Sequence, residues 1–135
     1  EGITKLQATV LRENLSITAS VEDIETWVPP KDFDVVVISH VLHQIPRKFV
    51  KNTLHALREH TKLGGIHAIA AWTEEGAFFR ENPNTDTWYA KPGELKDFYN
   101  HWQIISYEEK EGTSYKKGPD GKPFINTTAF LLARK

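Results

Sequence analysis

His40 and His43 stand three residues apart, directly after a run of β-branched residues, and the first of them follows Ser39. An imidazole beside a hydroxyl can take up or release a proton near neutral pH. At this spacing the two rings can also meet on one helical turn as metal ligands. A zinc site needs at least three protein ligands, and no third group is spaced to join them, so no metal is expected. The competing reading is that His40 lines a pocket while His43 packs near the start of a helix. The remaining histidines, His55, His60, His67 and His101, are scattered and read as ordinary surface or core residues. The acidic group Glu22, Asp23 and Glu25 could bind a cation or a ligand amine, or form only a solvated turn. Trp72 closes an apolar run and reads either as a stacking platform for a ring or as the rim of the core. No cysteine occurs, so thiolate chemistry and disulfides are excluded. No G-x-S-x-G elbow, P-loop or G-x-G-x-x-G fingerprint occurs either.

The element that must position Ser39 and His40 is FDVVVISHVLHQIP, Phe33 to Pro46. Val35, Val36, Val37 and Ile38 form a consecutive β-branched run, which predicts a buried central strand with helices on both faces. In open α/β sheets the ligand crevice lies outside the carboxyl ends of the strands, so Ser39, His40 and Val41 should stand at its mouth. Ahead of this strand the spacing of Ile3, Leu6 and Val10 predicts a surface helix over Gly2 to Glu13, ended at Asn14. Leu15 to Thr18 alternates as a short strand, and Pro29-Pro30 excludes regular structure.

After His43 a helix is expected with Pro46 in its first turn and Val50, Leu54 and Leu57 on its buried face. Gly64 and Gly65 should reverse the chain into a second buried strand, Ile66 to Trp72, so that strand, helix and strand make an α/β class. Thr73 to Ala90 is irregular yet holds Phe78, Phe79, Trp88 and Tyr89, with no period to explain them. A loop this long in a compact domain is usually a lid or a substrate wall. Lys91 to His101 reads as a helix. Trp102 to Glu109 and Thr127 to Arg134 read as strands of an antiparallel hairpin, turned at Gly118-Pro119 and Asp120-Gly121.

At 135 residues one domain spanning 1–135 is expected. Seventeen basic against eighteen acidic side chains leave a net charge of −1, which lacks the basic footprint of a nucleic-acid binder. No apolar run approaches the ~20 residues of a membrane span and no signal pattern opens the chain, so a cytoplasmic protein is the default. The chain starts at Glu1 and contains no methionine, so sequence upstream of it is expected.

Taken together, the elements resemble the carboxyl-terminal two thirds of a class I S-adenosylmethionine-dependent methyltransferase, and more narrowly the tellurite-resistance methyltransferase family. FDVVVISHVLHQIP is similar to that superfamily's fourth strand and the turn after it, and KLGGIHAIAAW to its fifth strand. The stretch KPGELKDFYNHWQIISYEE carries the family's E-L-x-x-x-Y-x-x-W pattern at Glu94, Leu95, Tyr99 and Trp102. The ending GPDGKPFINTTAFLLARK is the other narrow match.

The resemblance implies an incomplete Rossmann-like sheet of parallel strands with a carboxyl-terminal antiparallel hairpin. It implies S-adenosylmethionine as cofactor and methyl transfer to a small-molecule acceptor. Ser20 and Val21, with Glu22, stand where the superfamily contacts adenine, serine replacing the more usual aspartate. Ser39 and His40 stand where it approaches the methionine part of the cofactor, His40 nearest the methyl group. Trp72, Phe78, Phe79, Trp88 and Tyr89 would shape the acceptor pocket. The glycine-rich first strand and the acidic residue of the second strand have no counterpart here, and Tyr115, Lys116 and Lys117 replace histidine or arginine common in the last hairpin. Without the first strand two edges should be exposed, so a homo-oligomer or a rearranged sheet is expected. The alternative reading is a methyltransferase-like module without catalysis, serving in binding or oligomerisation.

Overall fold

The computed structural model describes residues 2–82 and 86–135. The chain opens with α1 (Gly2–Arg12), which Asn14 ends in the left-handed conformation at φ 51°, and Leu15 N–H returns to Val10 C=O at 2.9 Å. That is an αL stop, which asparagine tolerates better than most residues. The expected strand at Leu15 to Thr18 is absent. Leu15 and Ile17 stay 43% and 49% exposed and no ladder forms there, because alternation makes a strand only where a neighbour accepts the backbone hydrogen bonds.

Four strands then build the sheet: β1 (Phe33–Ser39), β2 (Thr61–Trp72), β3 (Gln103–Lys117) and β4 (Pro123–Arg134), in the order β1-β2-β4-β3. β1 and β2 are parallel and joined through α2 (Arg47–Glu59), whereas β4 runs antiparallel to both β2 and β3. The class is therefore α/β, as the alternation of elements predicts. The reversal after α2 occurs at His60, not at the glycines. Gly64 and Gly65 lie inside β2, where register passes from Phe33↔Thr61 to Val35↔Ile66, two steps on β1 against five on β2. Gly64 takes φ 79°, and a Cβ on Gly65 would lie 2.6 Å from Thr61 Cγ2 and 3.1 Å from Asp34 C=O, so the bulge depends on both glycines.

The core lies on one face of the sheet. Val36 and Ile38 of β1 meet Val50, Leu54 and Leu57 of α2, with Ile69, Ala71, Ala129, Leu131 and Ala133 from β2 and β4. Val35 and Val37, which alternate with them, are 56% and 72% exposed. The expectation of a central strand covered on both faces is thus corrected: β1 is an edge strand covered on one face. Its β-branched run reflects residue type, and the open face shows no alternation in sequence to mark it.

Between β2 and β3 the chain carries α3 (Ala77–Glu81) and α4 (Glu94–Phe98), tied down by bridges Thr73↔Ala90 and Pro46↔Thr87. The helix expected over Lys91 to His101 shrinks to five residues, since Gly93 adopts φ 77° ahead of it and Tyr99 ends it. The E-L-x-x-x-Y-x-x-W pattern is structural. Glu94 Oε2 accepts Lys91 N–H at 2.9 Å, Leu95 is buried, and Tyr99 and Trp102 enclose the buried His67. The hairpin turn closes through Gly118 N–H to Lys122 C=O at 2.9 Å, with Gly121 at φ 75°. Among the described residues no helix is long and apolar enough to cross a membrane.

Candidate active site

The carboxyl end of β1 delivers Ser39 and His40 to the rim of the sheet. His40 N–H still bonds Ala70 C=O at 2.8 Å, but its φ of 50° turns the chain out of the ladder into a 3-10 turn, Leu42–Gln44. A left-handed conformation at a residue with a Cβ costs about 1–2 kcal/mol, and here it aims the imidazole across the end of the neighbouring strands. Nδ1 lies 3.3 Å from Ser39 Oγ and Nε2 lies 3.4 Å from Thr128 Oγ1 on β4. Burial pushes the His40 pKa below its ordinary value of 6.5, which favours the neutral ring.

Trp72, the last residue of β2, forms the wall. Its ring lies 4.3 Å from that of His43, 5.5 Å from that of His40 and 4.4 Å from that of Phe78. Burial and the neighbouring His40 lower the His43 pKa. His43 packs against Trp72 near the helix start, and among the described residues no three His, Cys, Asp or Glu side chains gather as metal ligands. His40, Trp72, Phe78, Asn126, Thr128 and Tyr115 line a cleft of about 230 Å³. An adjoining cleft of about 240 Å³ adds Tyr89, Asn82 and Lys116.

The aromatic residues of the 73–90 segment separate into two groups. Phe78 and Tyr89 face these clefts, and Phe79 backs Tyr89 with ring centroids 5.5 Å apart. Trp88 turns inward, 4% exposed, and belongs to the core cluster. Ser20, Val21 and Glu22 are exposed in the irregular segment before β1 and line neither cleft. In the acidic group, Asp23 is committed to a turn: its Oδ1 accepts Glu25 N–H at 3.0 Å and its carbonyl accepts Trp27 N–H at 2.8 Å.

Sequence reasoning missed Asn126 and Thr128. Both alternate on the β4 face that continues from the open side of the sheet, with Thr128 directly opposite Trp72 and Asn126 opposite Gly112. The signal was the polar triplet Asn126, Thr127 and Thr128 inside an otherwise apolar strand; all three are buried.

Comparison with known proteins places this architecture. The family model described as tellurite resistance protein TehB matches residues 1–129. The chain is 29% identical over 134 residues to a Haemophilus influenzae (strain ATCC 51907 / DSM 11121 / KW20 / Rd) protein named probable S-adenosyl-L-methionine-dependent methyltransferase TehB, covering 99% of this chain and 46% of the relative. The crystal structure of TehB from Haemophilus influenzae superposes with a TM-score of 0.87 at 27% identity, over 98% of this chain and 46% of that one. The N-methyltransferase NodS of Bradyrhizobium japonicum WM9, in complex with S-adenosyl-L-homocysteine, superposes with a TM-score of 0.67 at 13% identity, over 96% and 61%, a likeness of fold alone. The chain spans about half the length of the curated relatives it matches.

Proposed function

Since the chain belongs to the tellurite resistance protein TehB family, we propose that it forms the acceptor-side half of an S-adenosylmethionine-dependent methyltransferase acting on a small molecule. The observation that carries this reading is the His40 imidazole, turned by a left-handed backbone into a cleft walled by Trp72 and Phe78. The fit to a sulfonium cofactor rests on charge. Ser39 and a neutral His40 present polar groups without a positive charge, where an imidazolium would repel the cation. When bound, the cofactor supplies an electrophilic methyl group. Displacement at that methyl needs alignment of the acceptor, and a base only where the acceptor carries a proton. His40 would take that proton, Nε2 facing Thr128 and Nδ1 facing Ser39. Trp72, Phe78 and Tyr89 would hold the acceptor and exclude water, with Phe79 and Trp88 supporting them from behind. Ser20, Val21 and Glu22, exposed ahead of β1, would receive the adenine.

The relatives are about twice as long, and the partners for the cofactor's ribose and amino acid are expected in their remaining half. The test is calorimetry with S-adenosylhomocysteine on a chimaera that joins this chain to the upstream half of the Haemophilus influenzae relative. Binding is expected. A chimaera that folds and binds none removes the reading.

The same reading includes self-association of the chain on its own as a single domain. β1 pairs with no strand on its outer edge among the described residues, and Val35 and Val37 beside it are exposed. Such an edge recruits another strand, here the same edge of a second copy. Sizing chromatography should give a concentration-dependent dimer, and a monomer at all concentrations would exclude it.

A further inference from the structure

Trp72 is shared by the two clefts at the end of the sheet. With Phe78 and Tyr115 it lines both the one that holds His40 and the adjoining one that holds Tyr89 and Lys116. Its indole is held from more than one side. His43 packs on it as a tilted pair with centroids 4.3 Å apart, and Phe78 meets it T-shaped at 4.4 Å. His40 reaches it from the strand end, 5.5 Å between ring centroids. Phe78 is itself fixed through its backbone: Asn126 Oδ1 accepts its N–H at 2.8 Å, and Gly76 packs against that amide, where a Cβ would lie 2.9 Å from Oδ1. Rings set in place before a ligand arrives spare it the cost of ordering them.

None of the residues lining the His40 cleft is a lysine, an arginine or a carboxylate. A cation placed there meets no counter-ion, so its attraction has to come from the rings. The face of an aromatic ring attracts a cation within about 6 Å of its centroid, tryptophan most strongly. The chain shows this attraction itself, since Lys116 Nζ stands over the Phe78 ring, 5.8 Å from its centroid. Burial lowers the pKa of His40 and of His43, which favours the neutral form of both and leaves the indole without a competing imidazolium. In a methyl-transfer site His40 stands nearest the methyl group. Transfer of that methyl leaves the bonding pair on sulfur, so the positive charge at this spot disappears.

We infer that Trp72 distinguishes the methylated cofactor from its product: the indole holds the charged methylsulfonium by cation–π attraction and lacks that attraction for the neutral thioether left after transfer. His43 is the positioning residue that keeps the ring in place. The inference rests on the reading of these clefts as a methyl-transfer site. It adds the group that reads the charge on sulfur, and it gives Trp72 a part in holding the cofactor besides its part in the acceptor wall. Lys116 is the competing charge, because its ammonium stands on the Phe78 ring that packs against Trp72.

The test uses two probes on the full chain, trimethylsulfonium and dimethyl sulfide, which differ by one methyl group and its charge. Binding is followed by ¹⁵N-correlated NMR through the Trp72 indole N–H and the Phe78 backbone amide. Trimethylsulfonium should shift the indole signal saturably and bind about tenfold more tightly than dimethyl sulfide. Trp72→Leu keeps an apolar wall without a ring; it should weaken trimethylsulfonium about tenfold, read at Phe78, and leave dimethyl sulfide unchanged. Trp72→Phe should lose only about threefold, and Lys116→Gln should tighten trimethylsulfonium by about the same factor. His43→Ala should weaken trimethylsulfonium and His43→Phe, which restores a packed ring, should recover it. Dimethyl sulfide binding as tightly as the sulfonium, or an unmoved indole signal, would overturn the inference. That comparison is made in the unsubstituted chain, so it stands even if a variant does not fold. Failure of the methyl-transfer reading is seen separately: the chimaera would bind neither S-adenosylmethionine nor S-adenosylhomocysteine while the chain still preferred the sulfonium. Where the chimaera binds both, Trp72→Leu should weaken S-adenosylmethionine about tenfold more than S-adenosylhomocysteine in calorimetry, and equal weakening would overturn the inference.

Discussion

Lowering the pH from 7.5 to 4 should destabilise this chain by about 3 kcal/mol through one side chain, the buried imidazole of His67. His67 is 0% exposed. The Thr61 hydroxyl donates to Leu57 C=O at 2.6 Å, so its oxygen can accept His67 Nε2–H at 2.8 Å. That leaves His67 Nδ1 to accept the Tyr99 hydroxyl at 2.7 Å. The network uses both ring nitrogens of the neutral ring, with the proton on Nε2. Burial first, then the Arg58 guanidinium and the Lys135 ammonium, lower its pKa from 6.5 to about 4. A histidine with a depressed folded pKa is protonated more readily in the unfolded chain. Its contribution is therefore whole above pH 6.5, declines as the pH falls towards 4, and is lost below that. At about 1.36 kcal/mol per pH unit the interval gives the figure above, a large share of the ~5–15 kcal/mol that holds a domain folded. Urea unfolding followed by tryptophan fluorescence would report it, since the Trp102 ring lies 4.8 Å from that of His67. The control is His67→Gln, which keeps a donor and an acceptor but does not titrate. Across the window the unsubstituted chain should lose about 3 kcal/mol more than the variant. Parallel curves would refute the reasoning.

Tyr99→Phe removes the donor to a buried ring nitrogen and should cost about 1–3 kcal/mol in the same urea experiment at pH 7.5. Lys135→Met removes one of the cations that keep His67 neutral, so the His67 pKa read by NMR titration should rise towards its ordinary value; no movement would discount the Lys135 contribution. At His40 the backbone sets the order of tolerance. His40→Gly relieves the φ of 50°, whereas His40→Val should be less stable than the glycine variant by about 1–2 kcal/mol, measured as the difference between their unfolding free energies. Gly65→Ala forces a methyl to within 2.6 Å of Thr61 Cγ2 and 2.9 Å of Lys62 C=O. It should lose about 1–3 kcal/mol, and an unchanged midpoint would mean that the bulge yields.

The strands, the helix α2 and the closing hairpin were legible because each rests on local pattern: a β-branched run, a 3.6-residue apolar stripe, a glycine-rich turn. Ser39 and His40 were legible as the first polar residues after a strand. The left-handed backbone that aims His40 was not, since no glycine or asparagine marks it. Leu15 to Thr18 alternates like a strand, but alternation says nothing about whether a ladder neighbour exists. Trp88 and Phe78 looked alike in sequence, two large rings in an irregular stretch. Only the bridge Thr73↔Ala90 and the docking of α3 decide that one enters the core and the other faces the cleft. Asn126 was hidden for a related reason, because its role depends on Gly76, fifty positions earlier in the chain.

The Arg58 side chain gives α2 unequal ends. Its guanidinium lies over the rings of Phe98, Tyr99 and Trp102 at 4.9, 5.3 and 5.8 Å and donates to Phe98 C=O at 2.8 Å. Beside it Lys135 Nζ bonds the carbonyls of Arg58, Glu59 and Thr61. The opposite end begins at Pro46, with no side-chain cap, immediately after the turn that holds His40 and His43. Mechanically the helix is a strut clamped most heavily at its far end, while its near end is held by the bridge Pro46↔Thr87 and by Arg47 N–H to Asp86 C=O at 2.8 Å. Amide exchange should therefore be slowest from Arg58 onward, and ligand-driven motion at the cleft should stop before it reaches the His67 cluster.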